Sequence, residues 1–355
     1  MSSFAARLSR WQKRHGRNDL PWQSTRDPYP IWVSEIMLQQ TQVATVLDYY
    51  PRFLQAFPDL GSLAAASIEH VLELWSGLGY YRRAHLLHRA AQVIVADHGC
   101  VFPDDAARIG ALPGVGRSTA AAIAAFAFGK PGTILDGNVK RVLARHDGIE
   151  GYPGDGEVEQ MLWSRAEAHV PRSDIEIYIQ ALMDLGATIC VRRQPRCNAC
   201  PVARDCVARR EGRVHELPAA RPRKQLPRRK LTVLLIQNEG DVLVERRPPS
   251  GIWPGLCSLP ELEAGVDVSA YCRERYGAEV SPLGLLPCIE HTFTHFHQTL
   301  QPHLCKVIRW PLLAQESGCV WLSPNHLGRA ALPAPIKKFL QSRARSRQAE
   351  LELKT

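Results

Sequence analysis

Residues Leu112–Gly129 read LPGVGRSTAAAIAAFAFG, and this stretch decides the first half of the chain. The alanine-rich run from Ser118 to Phe128 favours helix, because alanine loses no side-chain freedom on entering one. Gly114 and Gly116 precede it, two apart, and let the backbone turn tightly and approach a ligand closely. A short helix is expected before them, over about Asp104 to Ile109, so 104–129 predicts a helix, a hairpin and a second helix. Amides at the new helix start, around Gly116, Arg117 and Ser118, would point outward and hold a phosphate without reading bases. A plain interhelical turn with glycine caps is the alternative. A second loop, GLGYYRR at Gly77–Arg83, sets two tyrosines beside two arginines. It suits base stacking with phosphate contact, or a core tyrosine beside a solvated arginine.

Outward from the hairpin, the chain reads as helices joined by short loops as far as about residue 215. The texture then changes: HELPAARPRKQLPRRK at His215–Lys230 carries three prolines and many cations, as a linker does. Beyond it LTVLLIQ, NEGD and VLVERR predict a strand, a turn and a strand. A short helix is expected over Asp267–Tyr276, a second strand pair over Phe293–Ile308 and a closing helix over Pro333–Arg343. The expected division is a mainly α domain at 1–217, a basic linker at 218–229, a smaller α+β domain at 230–345 and a frayed tail at 346–355. The 355 residues suffice for two domains, and the net charge of +9 suggests a polyanionic partner, nucleic acid first. No apolar run approaches a membrane span, and the basic N-terminus reads as an amphipathic helix, not a signal peptide. The ten cysteines do not form a secreted disulfide framework, so a reducing, cytoplasmic setting is expected, and the lack of a long apolar seam suggests a monomer.

Cys190, Cys197, Cys200 and Cys206 have the spacing C-x6-C-x2-C-x5-C. Four thiolates so close call for a metal, and both zinc and an iron–sulfur cluster accept four cysteines. Two acids stand out for chemistry. Glu35, in IWVSEIMLQQTQ, belongs to a helix expected to start near Pro30, with Ile31, Trp32, Leu38 and Gln39 as helical neighbours. Mostly apolar surroundings would raise its pKa, although a salt-bridged glutamate on the helix flank is the plainer reading. Asp136, in TILDGNVKRVLARH, precedes a helix running to about His146 and suits an N-cap. A carboxylate among backbone amides is expected to stay ionised.

Together these residues resemble the helix-hairpin-helix DNA glycosylases of the endonuclease III superfamily, and within it the MutY type. LPW at Leu20–Trp22, WVSEIMLQQTQV, GLGYYRRA, LPGVGRSTA, LDGNVKRVL, ALMDLGATIC and the cysteine spacing occur in order, so the resemblance runs from about Leu20 to His215. It implies hydrolysis of the N-glycosidic bond of adenine mispaired with 8-oxoguanine or guanine in duplex DNA. It implies that Glu35 protonates adenine N7 and that Asp136 stabilises the oxocarbenium-like sugar, leaving open whether a covalent intermediate forms. Asn138 matches a residue that positions water or the acid pair. Trp22, Gln39 and Gln180 match positions around a flipped adenine, and Leu38, Gln40 and Tyr80 match positions that wedge into the duplex. Gly114, Gly116, Arg117 and Ser118 become the DNA-backbone contact, and the four cysteines hold a [4Fe–4S] cluster. Relatives that cleave the strand carry a lysine where this chain has Ser118, so the resemblance implies a monofunctional enzyme.

The second domain resembles the MutT-like (Nudix-fold) lesion-recognition domain, through GIWPGLCSLPE at Gly251–Glu261. The acidic, magnesium-binding helix is missing; CRERYG at Cys272–Gly277 takes its place. HTFTHFH at His291–His297 matches the loop that reads the lesion. There Phe293 would stack in the duplex, while Thr294 and His295 would hydrogen-bond near 8-oxoguanine. The three histidines 291, 295 and 297 also permit a metal on one strand face. Rival readings are a bifunctional pyrimidine-damage glycosylase, a Nudix hydrolase with a DNA-binding module, and a non-catalytic lesion-binding protein.

Overall fold

The computed structural model describes residues 3–222, 225–248, 250–263, 265–311, 318–328 and 330–352. Residues 223–224 of the expected linker and 353–355 of the expected tail lie outside them. The chain forms two compact units, Met1–Ala65 with Leu86–Arg223, and Ala66–His85 with Lys224–Thr355. This departs from an uninterrupted helical domain over 1–217, because residues 66–85 group with the later part of the chain. Three contacts inside the second unit account for it. Arg246 pairs with Glu69 at 2.6 Å, His85 Nε2 meets the Pro254 carbonyl at 3.0 Å, and Lys337 donates to Ser76 Oγ at 3.2 Å.

Residues 3–222 contain helices and no strand. At the centre of the first unit lies the helix Pro28–Leu38, buried at Tyr29 and from Ile31 to Met37. It starts two residues earlier than expected, because Asp27 caps it by accepting from the Tyr29 amide at 2.9 Å and Pro28 needs no amide partner at N1. Against it packs the helix Arg117–Phe128, whose buried alanines Ala120 to Ala125 allow two backbones to come close. The first hairpin helix is Ala106–Gly110, a little later than expected, capped by Asp105. Between the two helices Gly114 has φ +79°, and a Cβ there would lie 2.7 Å from Leu86 Cβ, so only glycine fits. The helix Gly137–Asp147 is capped by Asp136 and stopped by Gly148. It shares one apolar core with Phe4–His15 and Ile175–Asp184.

The second unit is built on an eight-stranded mixed sheet. Its strands are β1 (Arg228–Asn238), β2 (Asp241–Arg246), β3 (Cys257–Ser258), β4 (Glu261–Leu262), β5 (Glu279–Leu285), β6 (Ile289–Thr292), β7 (His297–Arg309) and β8 (Cys319–Leu322). The central order is β3-β2-β1-β7-β5, with β4 on β1, β6 on β7 and β8 on β2. β1 and β7 run parallel, in register from Arg228↔His297 to Gln237↔Lys306. Alternate residues of β1 feed two cores: Val233 and Leu235 pack beneath the helix Ala334–Glu352, Leu234 and Ile236 beneath Val268–Tyr276. That two-sided burial explains the unbroken apolar run of LTVLLI.

Three expectations are corrected here. Arg228 and Arg229 belong to β1, not the linker. Phe293–Ile308 is not a strand pair: β7 alone covers most of it, and its partner β6 ends before Phe293. The chain reverses at Thr294 and His295, where the Phe293 amide bonds the Phe296 carbonyl at 2.9 Å. Finally, the closing helix runs on to Glu352, through the stretch expected to fray.

Candidate active site

Glu35 sits on the central helix and is only 9% exposed. It lines a cavity of about 410 Å³ together with Trp22, Ile31, Ser34, Phe126 and Gln180. Among the described residues no donor reaches its carboxyl. Burial, and then the negative charge of Asp136, push its pKa from 4.5 up to about 8. The flank salt bridge that composition made the plainer reading is therefore absent from the described residues. Asp136 does not line this cavity. Its carboxylate accepts from the Val139 amide at 2.7 Å, as a cap should. Its pKa is raised, not lowered: crowding by protein outweighs the amides of Val139 and Asn138 and the Arg141 charge. This corrects the expectation of a purely stabilised cap. Yet by surface area Asp136 is exposed. That openness, two amides and a guanidinium all favour its ionised form, and Glu35 lacks all three. Of the two, Glu35 keeps its proton more firmly.

The other expected base-binding residues divide. Trp22 is buried in the cavity wall, edge-on to Tyr50 at 5.4 Å. Gln180 is held by Asp184, to which its Nε2 donates at 2.9 Å. Gln39 lies outside the wall and donates to Thr119 Oγ1 at 3.3 Å. Asp184, which the sequence reading passed over, is fully buried. It also accepts from Gln12 at 3.0 Å and forms an ion pair with Arg17 at 2.6 Å. It thereby ties the first helix to the cavity wall. Leu38 ends the central helix half-buried, and Gln40 follows, exposed with φ +56°. In the second unit Tyr80 is 50% exposed with φ +47°, and the Arg83 guanidinium lies 5.6 Å from its ring centre. Left-handed backbone at non-glycine residues is uncommon and marks shaped loops.

At the hairpin, Gly116 caps the helix without a side chain and leaves its surroundings open. Arg117 lies over the Trp163 ring at 3.9 Å and pairs with Glu167. Ser118 Oγ accepts from the Leu135 amide at 3.0 Å, which fixes the chain just before Asp136. No nucleophilic amine stands at this position. Asn138 accepts from Arg141 at 2.8 Å, and Arg141 also donates to the carbonyls of Gly186 and Cys190, both at 2.8 Å.

The four cysteines Cys190, Cys197, Cys200 and Cys206 line one small cavity. Cys200 is pushed up to about 11, first by burial and then by the neighbouring thiolates. Beside it Arg145 is 3% exposed and donates to the carbonyls of Leu217, Val191 and Arg192 and to Cys190 Sγ. Arg141 and Arg145, four apart on one helix, were missed by sequence reasoning as Asp184 was; only their spacing after Asp136 hinted at them. Elsewhere in the unit, Asp147 accepts from His146, His169 and Arg165, with the Phe4 ring over both imidazoles.

In the second unit Thr294 and His295 form the exposed tip of the β6–β7 turn. Neither has a positive φ, so this is not the glycine-favoured hairpin turn. Phe293 is half-buried, stacked on Phe296 at 4.6 Å. The three histidines do not converge on one point: His297 bonds Thr292 at 2.8 Å, His295 bonds Thr294 at 3.3 Å, and His291 packs on Phe293.

Residues 33–168 match the HhH-GPD superfamily base excision DNA repair proteins, and residues 232–342 match the NUDIX domain. The adenine DNA glycosylase of Buchnera aphidicola subsp. Acyrthosiphon pisum (strain APS) is 34% identical over 346 residues, 96% of this chain and 97% of that one. The human adenine DNA glycosylase is 33% identical over 404 residues, 96% of this chain and 74% of that one. Among solved structures, a thermostable thymine-DNA glycosylase aligns with TM-score 0.54 and 31% identity, over 59% of this chain and 95% of its own. No described helix is long and apolar enough to cross a membrane. With both domains matched in order, and relatives aligned over nearly the whole chain, this protein belongs to the adenine DNA glycosylases, N-glycosyl hydrolases of base excision repair that join a helical HhH-GPD domain to a NUDIX-like α+β domain.

Proposed function

We propose that this chain removes adenine opposite 8-oxoguanine, and opposite guanine, from duplex DNA, with Glu35 as general acid and Asp136 as the charge that steadies the sugar. The observation that carries this reading is a buried, donor-free carboxyl with its pKa near 8, facing a cavity and within electrostatic reach of a second carboxyl. The glycosidic bond is hidden in the base stack, so the adenine must first swing out into the cavity. Trp22 and Gln180 would hold it there. Glu35 gives its proton to N7 as the C1′–N9 bond breaks, and the bonding pair leaves with the base. The cationic sugar is stabilised by the Asp136 carboxylate. Water, positioned with the help of Asn138, adds at C1′ and loses a proton. The products are free adenine and an intact strand with an abasic site. Ser118 has no amine, so no imine forms and the strand is not cut.

The four cysteines line one small cavity and are the residues that would hold a [4Fe–4S] cluster. When bound, the cluster supplies a fixed hub for the loop 190–206. Arg145 orients that loop, and Arg141 links it to Asn138. Phe293, Thr294 and His295 read the base opposite the adenine, and Gly114, Gly116, Arg117 and Ser118 hold the backbone.

The test is single-turnover reaction on a duplex with adenine opposite 8-oxoguanine, each sample split between neutral quench and hot alkali. A break only after alkali is expected, and Glu35→Gln should bind the duplex yet release no base. A break without alkali would remove the monofunctional reading. Retained base release by the variant would remove Glu35 from the acid role.

A further inference from the structure

The turn that carries Thr294 and His295 stands at one end of a column of side chains. The Arg229 guanidinium lies 4.6 Å from the centre of the Phe296 ring. Phe296 is 1% exposed and stacks on Phe293 at 4.6 Å and 23°. Phe293 meets the Trp253 indole at 5.4 Å, and His291 closes the triangle, 4.5 Å from Phe293 and 5.7 Å from Trp253. Trp253 comes from a different segment, Gly251–Leu256, and has φ +53°. A bulky residue in the left-handed region is strained and persists only where its surroundings over-determine it.

Here they do. Arg247 Nε donates to the Ile252 carbonyl at 2.8 Å on one side of Trp253. On the other, His85 Nε2 meets the Pro254 carbonyl at 3.0 Å, and the Gly255 amide bonds the Pro248 carbonyl at 3.2 Å. The segment is clamped on both flanks, and its indole packs on Phe293, on His291 and against the core beneath the closing helix.

We propose that Trp253 is a positioning residue for lesion recognition: it fixes Phe293, and through it the β6–β7 turn, so that Thr294 and His295 meet the base opposite adenine already in place. This rests on the lesion-reading role of that turn given above. A short turn with no glycine and no partner would otherwise order itself only on binding, at a cost in affinity and discrimination. The column removes that cost before the duplex arrives. Arg229 caps its far end through a cation–ring contact.

Full-length Trp253→Ala and Trp253→Phe, with His295→Ala alongside, are compared in single-turnover adenine removal opposite 8-oxoguanine and opposite guanine. Trp253→Ala should lower the preference for 8-oxoguanine about tenfold, with removal opposite guanine changing less than about twofold. Trp253→Phe, which keeps a ring in the column, should recover most of the preference. Equal losses on both duplexes would make Trp253 an ordinary packing residue and overturn the proposal. A fall in His295→Ala with none in Trp253→Ala would overturn it too, while leaving the lesion-reading role intact. An unchanged preference in His295→Ala would instead sink the lesion-reading role itself.

Discussion

Glu35 is a carboxyl that the fold keeps protonated at the expense of its own stability. In the unfolded chain it ionises near 4.5, in the folded chain near 8. Between those values the folded state holds the extra proton, so stability falls as pH rises from about 4.5 to about 8 and is flat beyond. Glu35→Gln has no such proton to lose. Its unfolding free energy should therefore exceed that of the parent by a margin that widens over this window, reaching on the order of a few kcal/mol above pH 8, with a higher melting temperature to match. Parallel melting curves across pH 5 to 9 would show that burial does not raise this pKa. The same ionisation sets activity. An acid must carry its proton to give it, so single-turnover base release should fall about tenfold per pH unit above about pH 8. A flat profile up to pH 10 would remove Glu35 as the donor. Asp136 teaches the complementary lesson: two amides and a guanidinium do not bring its pKa below the usual range once protein crowds it.

Elements are where the sequence is most legible, because caps and turns are local. Asp27, Asp105, Asp136 and Asp267 each cap the helix that follows. The hairpin glycines and the four cysteines also read directly, since spacing alone brings them together. What was hidden depends on partners far along the chain. Asp184 gathers Gln12, Arg17 and Gln180; Arg145 gathers carbonyls from Val191 to Leu217; and residues 66–85 pack against strands and loops more than a hundred and fifty positions later. The positions of His291, His295 and His297 permitted one strand face, because a turn without glycine leaves no local mark. The hairpin permits a sharp test of element geometry. Gly114→Ala meets both a positive φ and the Leu86 side chain, so it should cost about 1–3 kcal/mol and weaken duplex binding. Gly116→Ala enters open space at an ordinary φ and should change stability little. Equal melting temperatures for the two variants would mean that the hairpin is not held in this shape.

At the scale of the whole molecule, the NUDIX-like domain has few acids with which to hold a metal. Hard cations such as magnesium need several carboxylate oxygens. The helix Val268–Tyr276 offers one acid, Glu274, between Arg273 and Arg275, and it is exposed. The nearby strand acid Glu245 is already engaged: Tyr276 donates to it at 2.8 Å and Arg275 lies 3.5 Å away. An ion placed there would face guanidinium charge and only one unclaimed carboxylate on the helix. The sheet's two buried faces fix β7, and through it β6 and the turn between them. The chain should therefore release no pyrophosphate or phosphate from nucleoside triphosphates, oxidised or not, with or without magnesium, while the same preparation removes adenine from a mispaired duplex. Magnesium-dependent turnover that survives Glu35→Gln and is lost in Glu274→Gln would mean that the second unit is itself an enzyme and that its single helix acid suffices.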